Sequence, residues 1–348
     1  MATSISDLLD VQVEDRDLDW LQTSLQNAIE LEFATIPVYL SGMWSIIPQS
    51  GQTKPSGEAY NLILSVVMEE MLHLGLACNM LAATPGGSPE IVAPTYPSQG
   101  LPGGVLPELE VYLAGLSPET LQMYMAIEQP EPPADQVDPQ SDGPTIGQFY
   151  DAIASAFASI QPTISKANQV NLFVSVPDPD HPEANPPTSI GEKQAPLGSL
   201  QDVQNAITLI KDQGEGTSTS PYAPQYDGGG ELSHYFRFGE ILHGQKLVQV
   251  LDSWEYGGDP VPFPDCYPVA PVPQGGYPDV PAPAQIAEFD KQYQKLLTDL
   301  GTWTQASLQS AIGAMLGLYQ YVPPIVSQAL PGGTGNYGPD FVPANAAS

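Results

Sequence analysis

Positive charge is scarce in this chain. Nine Lys and Arg stand against 40 Asp and Glu among 348 residues, a formal net charge of −31. Such a surface repels phosphates and anionic headgroups, which excludes nucleic acid and acidic membranes as expected partners, and it attracts cations. Cysteine is nearly absent: Cys78 and Cys266 lie far apart, form no CxxC and offer no disulfide framework. The opening stretch MATSISDLLDVQVEDRDLDW lacks the basic start and apolar core of a secretory signal. No run reaches the roughly 18–20 apolar residues expected of a membrane helix. The nearest, AIGAMLGLYQYVPPIV, is broken by Gln and two prolines. A soluble, cytoplasmic protein is the expectation. Motifs are missing too. There is no G-x-x-x-x-G-K-[ST], no G-x-G-x-x-G after a strand, no G-x-S-x-G and no H-E-x-x-H, so the common nucleotide, hydrolase and zinc-protease chemistries find no support.

Helical periodicity is abundant. Leu21, Leu25, Ala28, Ile29, Ile36, Tyr39 and Leu40 recur at spacings of three and four, which predicts a helix over about 15–46. Pro37 inside it predicts a kink or local bulge near 33–37. A second long helix is predicted over 57–84, ended by TPGGSP. Shorter helices follow at SPETLQMYMAIEQPE, TIGQFYDAIASAFASI and SLQDVQNAITLIKDQGEG, and ELSHYFRFGEILHGQKLVQVLDSWEY reads as another. After a proline-dense stretch, Phe289, Tyr293 and Leu297, then Leu308, Ile312 and Met315, mark two C-terminal helices. No long alternating run suggests strands. The prediction is an all-α protein with long Pro/Gly-rich crossovers: a bundle with loop insertions over 1–258, a Pro-rich strap over 259–284, and a C-terminal helical pair with tail over 285–348, packed as one unit.

Histidine is rare as well, with four in the chain, and three of them follow a glutamate by three residues: Glu70/His73, Glu231/His234 and Glu240/His243. Glu and His at i and i+3 share a helix face. Two such pairs plus one Glu from each of two further helices form the ligand pattern of dimetal carboxylate bundles. Glu70 shares its stripe with Ile63, Val66, Val67, Leu74 and Ala77, so it is expected to point inward. Glu231 and His234 share theirs with Phe238, Ile241, Leu242 and Val248. Glu240 and His243 fall on the other side, near Arg237, and read as a surface or interface pair. Glu32 keeps apolar company that Glu30 lacks. It stands 14 residues before the end of its helix, and Glu70 stands 13 after the start of the next, so the two are level at ~1.5 Å per residue. The fourth carboxylate is open: Glu215 at a helix end is the first candidate, with Asp151 and Glu128 as alternates. Glu69 is read as supporting the site or facing solvent. The fourth histidine, His181, sits in an acidic loop and is expected in solvent. The loop 216–230, with Tyr222 and Tyr226, reads either as a lid or as a surface loop.

The stretches ELEFATIPVYLSGMWSI, VVMEEMLHLGLACNMLAATPGG, TIGQFYDAI, ITLIKDQGEG, ELSHYFRFGEILHG and GPDFVP resemble the ferritin-like domain family associated with VioB, the iminophenyl-pyruvate dimer synthase family. They cover most of residues 20–255 and part of the C-terminal region. The resemblance implies a four-helix ferritin-like core with a metal site, in a group tied to specialised metabolism. TIGQFY departs from it, carrying Gln148 where an acid is expected, and an altered site follows if that position is a ligand. The metal set expected is Glu32, Glu70, His73, Glu215, Glu231 and His234 around two Fe ions, or Mn, or one of each. The expected function is a non-haem dinuclear oxidoreductase using O2 or peroxide on a small organic substrate, with a homodimer left open. The alternatives are an iron-binding or peroxide-detoxifying protein without organic substrate, and a scaffold with a degenerate site.

Overall fold

Asp17 accepts a hydrogen bond from the amide of Trp20 and so starts a 27-residue helix, the longest element of the chain. The computed structural model describes residues 4–130, 145–177, 189–215, 220–223, 231–251, 253–277 and 282–344. In chain order the elements are α1 (Ile5–Asp10), α2 (Leu18–Trp44), α3 (Glu58–Ala83), β1 (Ser98–Leu101), β2 (Val105–Val111), α4 (Pro118–Ile127) and α5 (Ile146–Ile160). Then come β3 (Leu172–Pro177), β4 (Ser189–Gln194), α6 (Leu200–Glu215), β5 (Tyr222–Ala223), β6 (Glu231–Leu232) and α7 (His234–His243). The chain closes with β7 (Gln245–Val250), β8 (Ser253–Pro260), α8 (Ala284–Thr302), α9 (Gln305–Leu318) and α10 (Val322–Val326).

Helices pack in neighbouring pairs: α2 on α3, α4 on α7, α5 on α6 and α8 on α9, with α3 also touching α6 and α7. A single buried apolar cluster runs from Ile5 to Phe341 through these pairs. Pro37 causes no break in α2. It withholds one amide from the helix ladder, and the Ser41 hydroxyl donates to the Pro37 carbonyl (2.8 Å). Two glycines permit close approach. A Cβ at Gly42 would stand 2.3 Å from the Tyr124 hydroxyl, and one at Gly75 would stand 2.7 Å from the Leu172 side chain, where β3 crosses α3.

Three expectations need correction. The fold is mainly helical rather than all-α, because the described residues include four two-stranded antiparallel sheets, β1–β2, β3–β4, β5–β6 and β7–β8. The helix predicted over 231–256 is short. Gly244 takes a left-handed conformation after His243, which ends α7 in the usual way, and QKLVQV then pairs with SWEYGGDP as strands. Val248 therefore shares no helix face with His234. Finally, α3 is long and apolar enough to cross a membrane, which the sequence reading denied to every segment, yet 83% of its apolar window is buried inside the protein.

The Pro-rich strap docks along the helices by backbone bonds. Tyr267 N–H donates to Ser45 O (2.8 Å) and Val272 N–H to Leu113 O (2.9 Å). Asn336 in the tail accepts from Ala270 N–H (3.0 Å). Phe341 of the tail stacks on Trp44 near the end of α2 (ring centroids 5.9 Å).

Candidate metal centre

On α2, Glu32, Thr35 and Tyr39 follow one another at three- and four-residue steps, so they share a face. Across from them, α3 contributes Glu69, Glu70 and His73 within little more than a turn. Glu128 caps the C-terminal end of α4, Tyr150 comes from α5 and Gln213 from α6. His234 is the first residue of α7, and Arg237 lies one turn on. Every one of the seven ionisable side chains among these, leaving aside the tyrosines, is buried.

The two histidines are arranged alike. His73 turns Nδ1 toward Glu32 Oε2 (3.6 Å) and Glu70 Oε1 (3.8 Å), while its Nε2 meets Gln213 Oε1 at 2.8 Å. His234 turns Nδ1 toward Glu70 Oε1 (2.8 Å) and Glu128 Oε2 (3.5 Å), while its Nε2 meets Glu69 Oε2 at 2.9 Å. The amide oxygen and the carboxylate accept only, so each Nε2 carries the proton and donates. The rings lie 5.5 Å apart and nearly parallel. His234 Nδ1 is fully buried and makes no well-directed hydrogen bond.

Each carboxylate is likewise held from behind. Tyr150 donates to Glu32 Oε1, Thr35 to Glu70 Oε2 (2.8 Å) and Tyr39 to Glu128 Oε1. The other oxygens, Glu32 Oε2, Glu70 Oε1 and Glu128 Oε2, join the two Nδ1 atoms in an inward-facing ring. It divides into two groups, Glu32/Glu70/His73 and Glu70/Glu128/His234, in each of which the donor atoms lie within 4.8 Å of one another, and Glu70 belongs to both.

Electrostatics show the strain of this assembly. Burial first, then the charge of Glu70, pushes Glu32 well above the usual carboxylate range. Burial and then Glu128 raise Glu70. Burial, reinforced by His234, lowers His73 to about 3, which keeps its imidazole neutral. For His234 burial also works against the charge, but the nearby carboxylates of Glu128, Glu69 and Glu70 prevail and raise it well above the ordinary value. Glu69 differs from its neighbours. Burial opposes its charge, yet Arg237 (Nη1 to Oε1, 2.8 Å) and His234 hold it at about 2. Arg237 is itself fixed by Ser65 Oγ (2.8 Å).

Divalent cations fit this donor set. Hard carboxylate oxygens and borderline imidazole nitrogens suit iron or manganese, and cations would relieve the clustered negative charge and give His234 Nδ1 a partner. The chain thus has residues for a metal pair that shares Glu70.

Of the residues expected at the site, Glu32, Glu70, His73 and His234 are brought together. Glu128, an alternate, joins them. Asp151 does not: it is exposed and pairs with Lys211 (2.6 Å). Gln148 is exposed as well and completes the capping box of α5 with Thr145, so it marks no lost ligand of this cluster. Glu215 ends α6, two residues past Gln213, and Glu231 lies in β6. Both side chains fall outside the described residues, as do His181 and most of the loop 216–230, Tyr226 included. Glu231 is not on a helix, because α7 begins only at His234, so the shared-face argument does not apply to it. Glu240 is buried rather than superficial, accepting from Leu247 N–H (2.9 Å) and pairing with Lys246 (3.0 Å). The residues that sequence reasoning missed are the supports: Tyr39, Thr35, Tyr150, Gln213 and Arg237. Only position on a helix face could have flagged them, and Thr35 and Tyr39 do lie on the face of Glu32.

Comparison with known proteins agrees with this geometry. Residues 25–243 match the family model described as Ferritin-like. A solved ferritin-like protein from Caulobacter vibrioides is similar over 87% of this chain and 96% of its own, at 21% identity and a TM-score of 0.55, a likeness of fold. Curated proteins give no match. With the matched span covering well over half the sequence and enclosing the whole Glu/His cluster, the chain belongs to the ferritin-like family.

Proposed function

We propose that this protein is a non-haem dinuclear metal oxidoreductase, in which side chains from α2, α3, α7 and the end of α4 hold two iron ions, or manganese in one or both positions. The observation that carries the reading is the inward ring of five donor atoms, each on a side chain held from behind by its own partner. Glu32 and His73 would hold one ion, Glu128 and His234 the other, and Glu70 would bridge them. Glu128 takes the place of the fourth carboxylate, for which Glu215 was the first candidate in the sequence. Such a pair of ions supplies one-electron redox steps and open positions for oxygen ligands.

The chain's own residues prepare that chemistry. Glu69 and Gln213 set the ring orientations and leave both Nδ1 atoms free to donate, as supporting groups do in metal sites generally. Tyr39, Thr35 and Tyr150 hold one oxygen of each carboxylate, so the other is presented without rearrangement. Leu31, Ile127, Ile146 and Ile210 give the space beside Glu32, Glu70 and His73 an apolar wall. Lys211, paired with Asp151, lines the same space and would turn to a substrate carboxylate only by leaving that partner. The family resemblance suggests an amino-acid-derived imine or keto acid as that substrate.

A second reading, iron or peroxide handling without organic substrate, is favoured by the size of this space. Its volume is about 40 Å³, room for roughly three waters and hence for O2 or peroxide. Oxygen uptake by the Fe(II)-loaded protein separates the two. The oxidoreductase reading expects uptake to accelerate several-fold with aryl-pyruvate imines and an oxidised organic product to accumulate. Uptake indifferent to every organic addition supports the second reading, and protein purified without chelator that holds far less than one ion per chain contradicts both.

A further inference from the structure

The two halves of the inward ring match group for group except in one place. Each offers a glutamate backed by a tyrosine, Glu32 by Tyr150 and Glu128 by Tyr39, and a histidine that turns Nδ1 inward, with Glu70 common to both. The exception lies behind the histidines. His234 Nε2 donates to the carboxylate of Glu69 (2.9 Å), whereas His73 Nε2 donates to the amide oxygen of Gln213 (2.8 Å). Arg237 fixes the first acceptor, its Nη1 standing 2.8 Å from Glu69 Oε1 and 2.8 Å from Ser65 Oγ. An imidazole that donates to a carboxylate is the more basic metal ligand, because the charged acceptor strengthens the bond and sends electron density toward the inward nitrogen. An amide sets the same orientation without the charge.

Spacing and surroundings run the same way. His234 Nδ1 stands 2.8 Å from Glu70 Oε1 and 3.5 Å from Glu128 Oε2. His73 Nδ1 stands 3.8 Å from Glu70 Oε1 and 3.6 Å from Glu32 Oε2. The nitrogen of the His234 half is thus the more closely gathered with its carboxylates. His73 borders the space of about 40 Å³, and His234 is not among the residues that line it. An ion beside His73 would face that space, while one beside His234 would have this imidazole closed off from it.

We infer that the two ion positions are unequal: the one between Glu70, Glu128 and His234 fills first and holds more tightly, and the one beside His73 is exchangeable. The inference rests on the two-ion reading proposed above. Two binding steps alone do not establish it, since a first cation repels a second, so each half is also measured by itself. The probe is zinc(II), added to the metal-free full chain and followed by NMR of labelled histidine side chains, which ions on the acidic surface leave unmoved at these buried rings. In the unaltered chain the His234 signals should convert during the first equivalent and those of His73 during the second, and substoichiometric EDTA should return His73 first. His73→Ala isolates the His234 half and His234→Ala the His73 half; the former is expected to bind ~tenfold or more tightly than the latter. Glu69→Gln should erase most of that advantage in His73→Ala and leave His234→Ala within about twofold, a contrast that a merely structural role for Glu69 would not produce. Simultaneous conversion of both histidines, the reverse order, or equal affinities of the two single-histidine chains overturns the inference and leaves the two-ion reading standing. Zinc that moves neither histidine overturns both.

Discussion

Glu69, Glu70 and His73 are buried within one stretch of α3, and adjacent glutamates there have opposite electrostatic fates. Glu70 has hydrogen-bond support but no cationic side chain of Lys or Arg beside it, and its proton affinity rises. Glu69 has Arg237 and stays ionised. The difference explains their division of labour: Glu69 orients His234, and Glu70 faces the gap between the two histidines. Glu69→Gln keeps an acceptor for His234 but removes the charge, and supporting groups of this kind are typically worth ~10–100-fold in metal affinity. We expect the ion at Glu70/Glu128/His234 to weaken by about that factor in a metal titration, while the ion at Glu32/Glu70/His73 keeps its affinity. Equal weakening of both would mean that Glu69 acts through general stability. At this scale the sequence was readable where helical spacing applied, as for Glu32, Glu70 and His73. Glu128 was reached only as an alternate, because it sits at a helix end beside a proline-rich loop with no periodic pattern around it, and Arg237 was not reached, its buried partner being 168 residues away.

Elements bring these residues to one depth, and their packing leaves little slack where helices meet. The Tyr124 ring of α4 lies over Gly42 of α2, and its hydroxyl donates to Val38 O (3.0 Å). Gly42→Ala would set a methyl 2.3 Å from that oxygen. Overpacking of this kind costs about 1–3 kcal/mol, a loss that thermal or denaturant unfolding would register. In a Tyr124→Phe background the closest contact is gone and only ring carbons at 3.2 and 3.3 Å remain, so the alanine should then cost less, and an unchanged cost would place the strain elsewhere. Boundaries of α2 and α3 were legible to within three residues of the observed ones, because caps and apolar spacing agree there. The end of α7 was not. HGQ contains the glycine that stops the helix, yet the apolar residues of QKLVQV were counted as its continuation. The alternation of Leu247 with polar neighbours was the available strand signal.

Across the whole molecule, negative charge is the recurring cost, and it recurs even inside the C-terminal packing. Asp290 of α8 and Asp340 of the tail are both partly or largely buried. Burial and then Asp340 push Asp290 up to about 9, and burial raises Asp340 as well. An aspartate raised in the folded state binds more protons there than in the unfolded chain, so its contribution is favourable at low pH and is lost as pH rises. Between the ordinary value of 3.8 and about 9, the melting temperature of metal-loaded protein should therefore fall with rising pH. Asp290→Asn should flatten that fall. A melting temperature that rises over the window, or a slope that Asp290→Asn leaves unchanged, would show that the pair is not proton-linked. The strong acidity was plain from composition. That some of it is folded inward, around the Glu/His cluster and a carboxyl pair, was visible only once the helices were assembled.

The most direct measurement is anomalous diffraction at the iron edge from crystals of the Fe(II)-loaded protein. The account expects two peaks, one touching Glu32, Glu70 and His73 Nδ1, the other touching Glu70, Glu128 and His234 Nδ1. Ions found away from this ring, or a ring that stays without density in iron-saturated crystals, would contradict it.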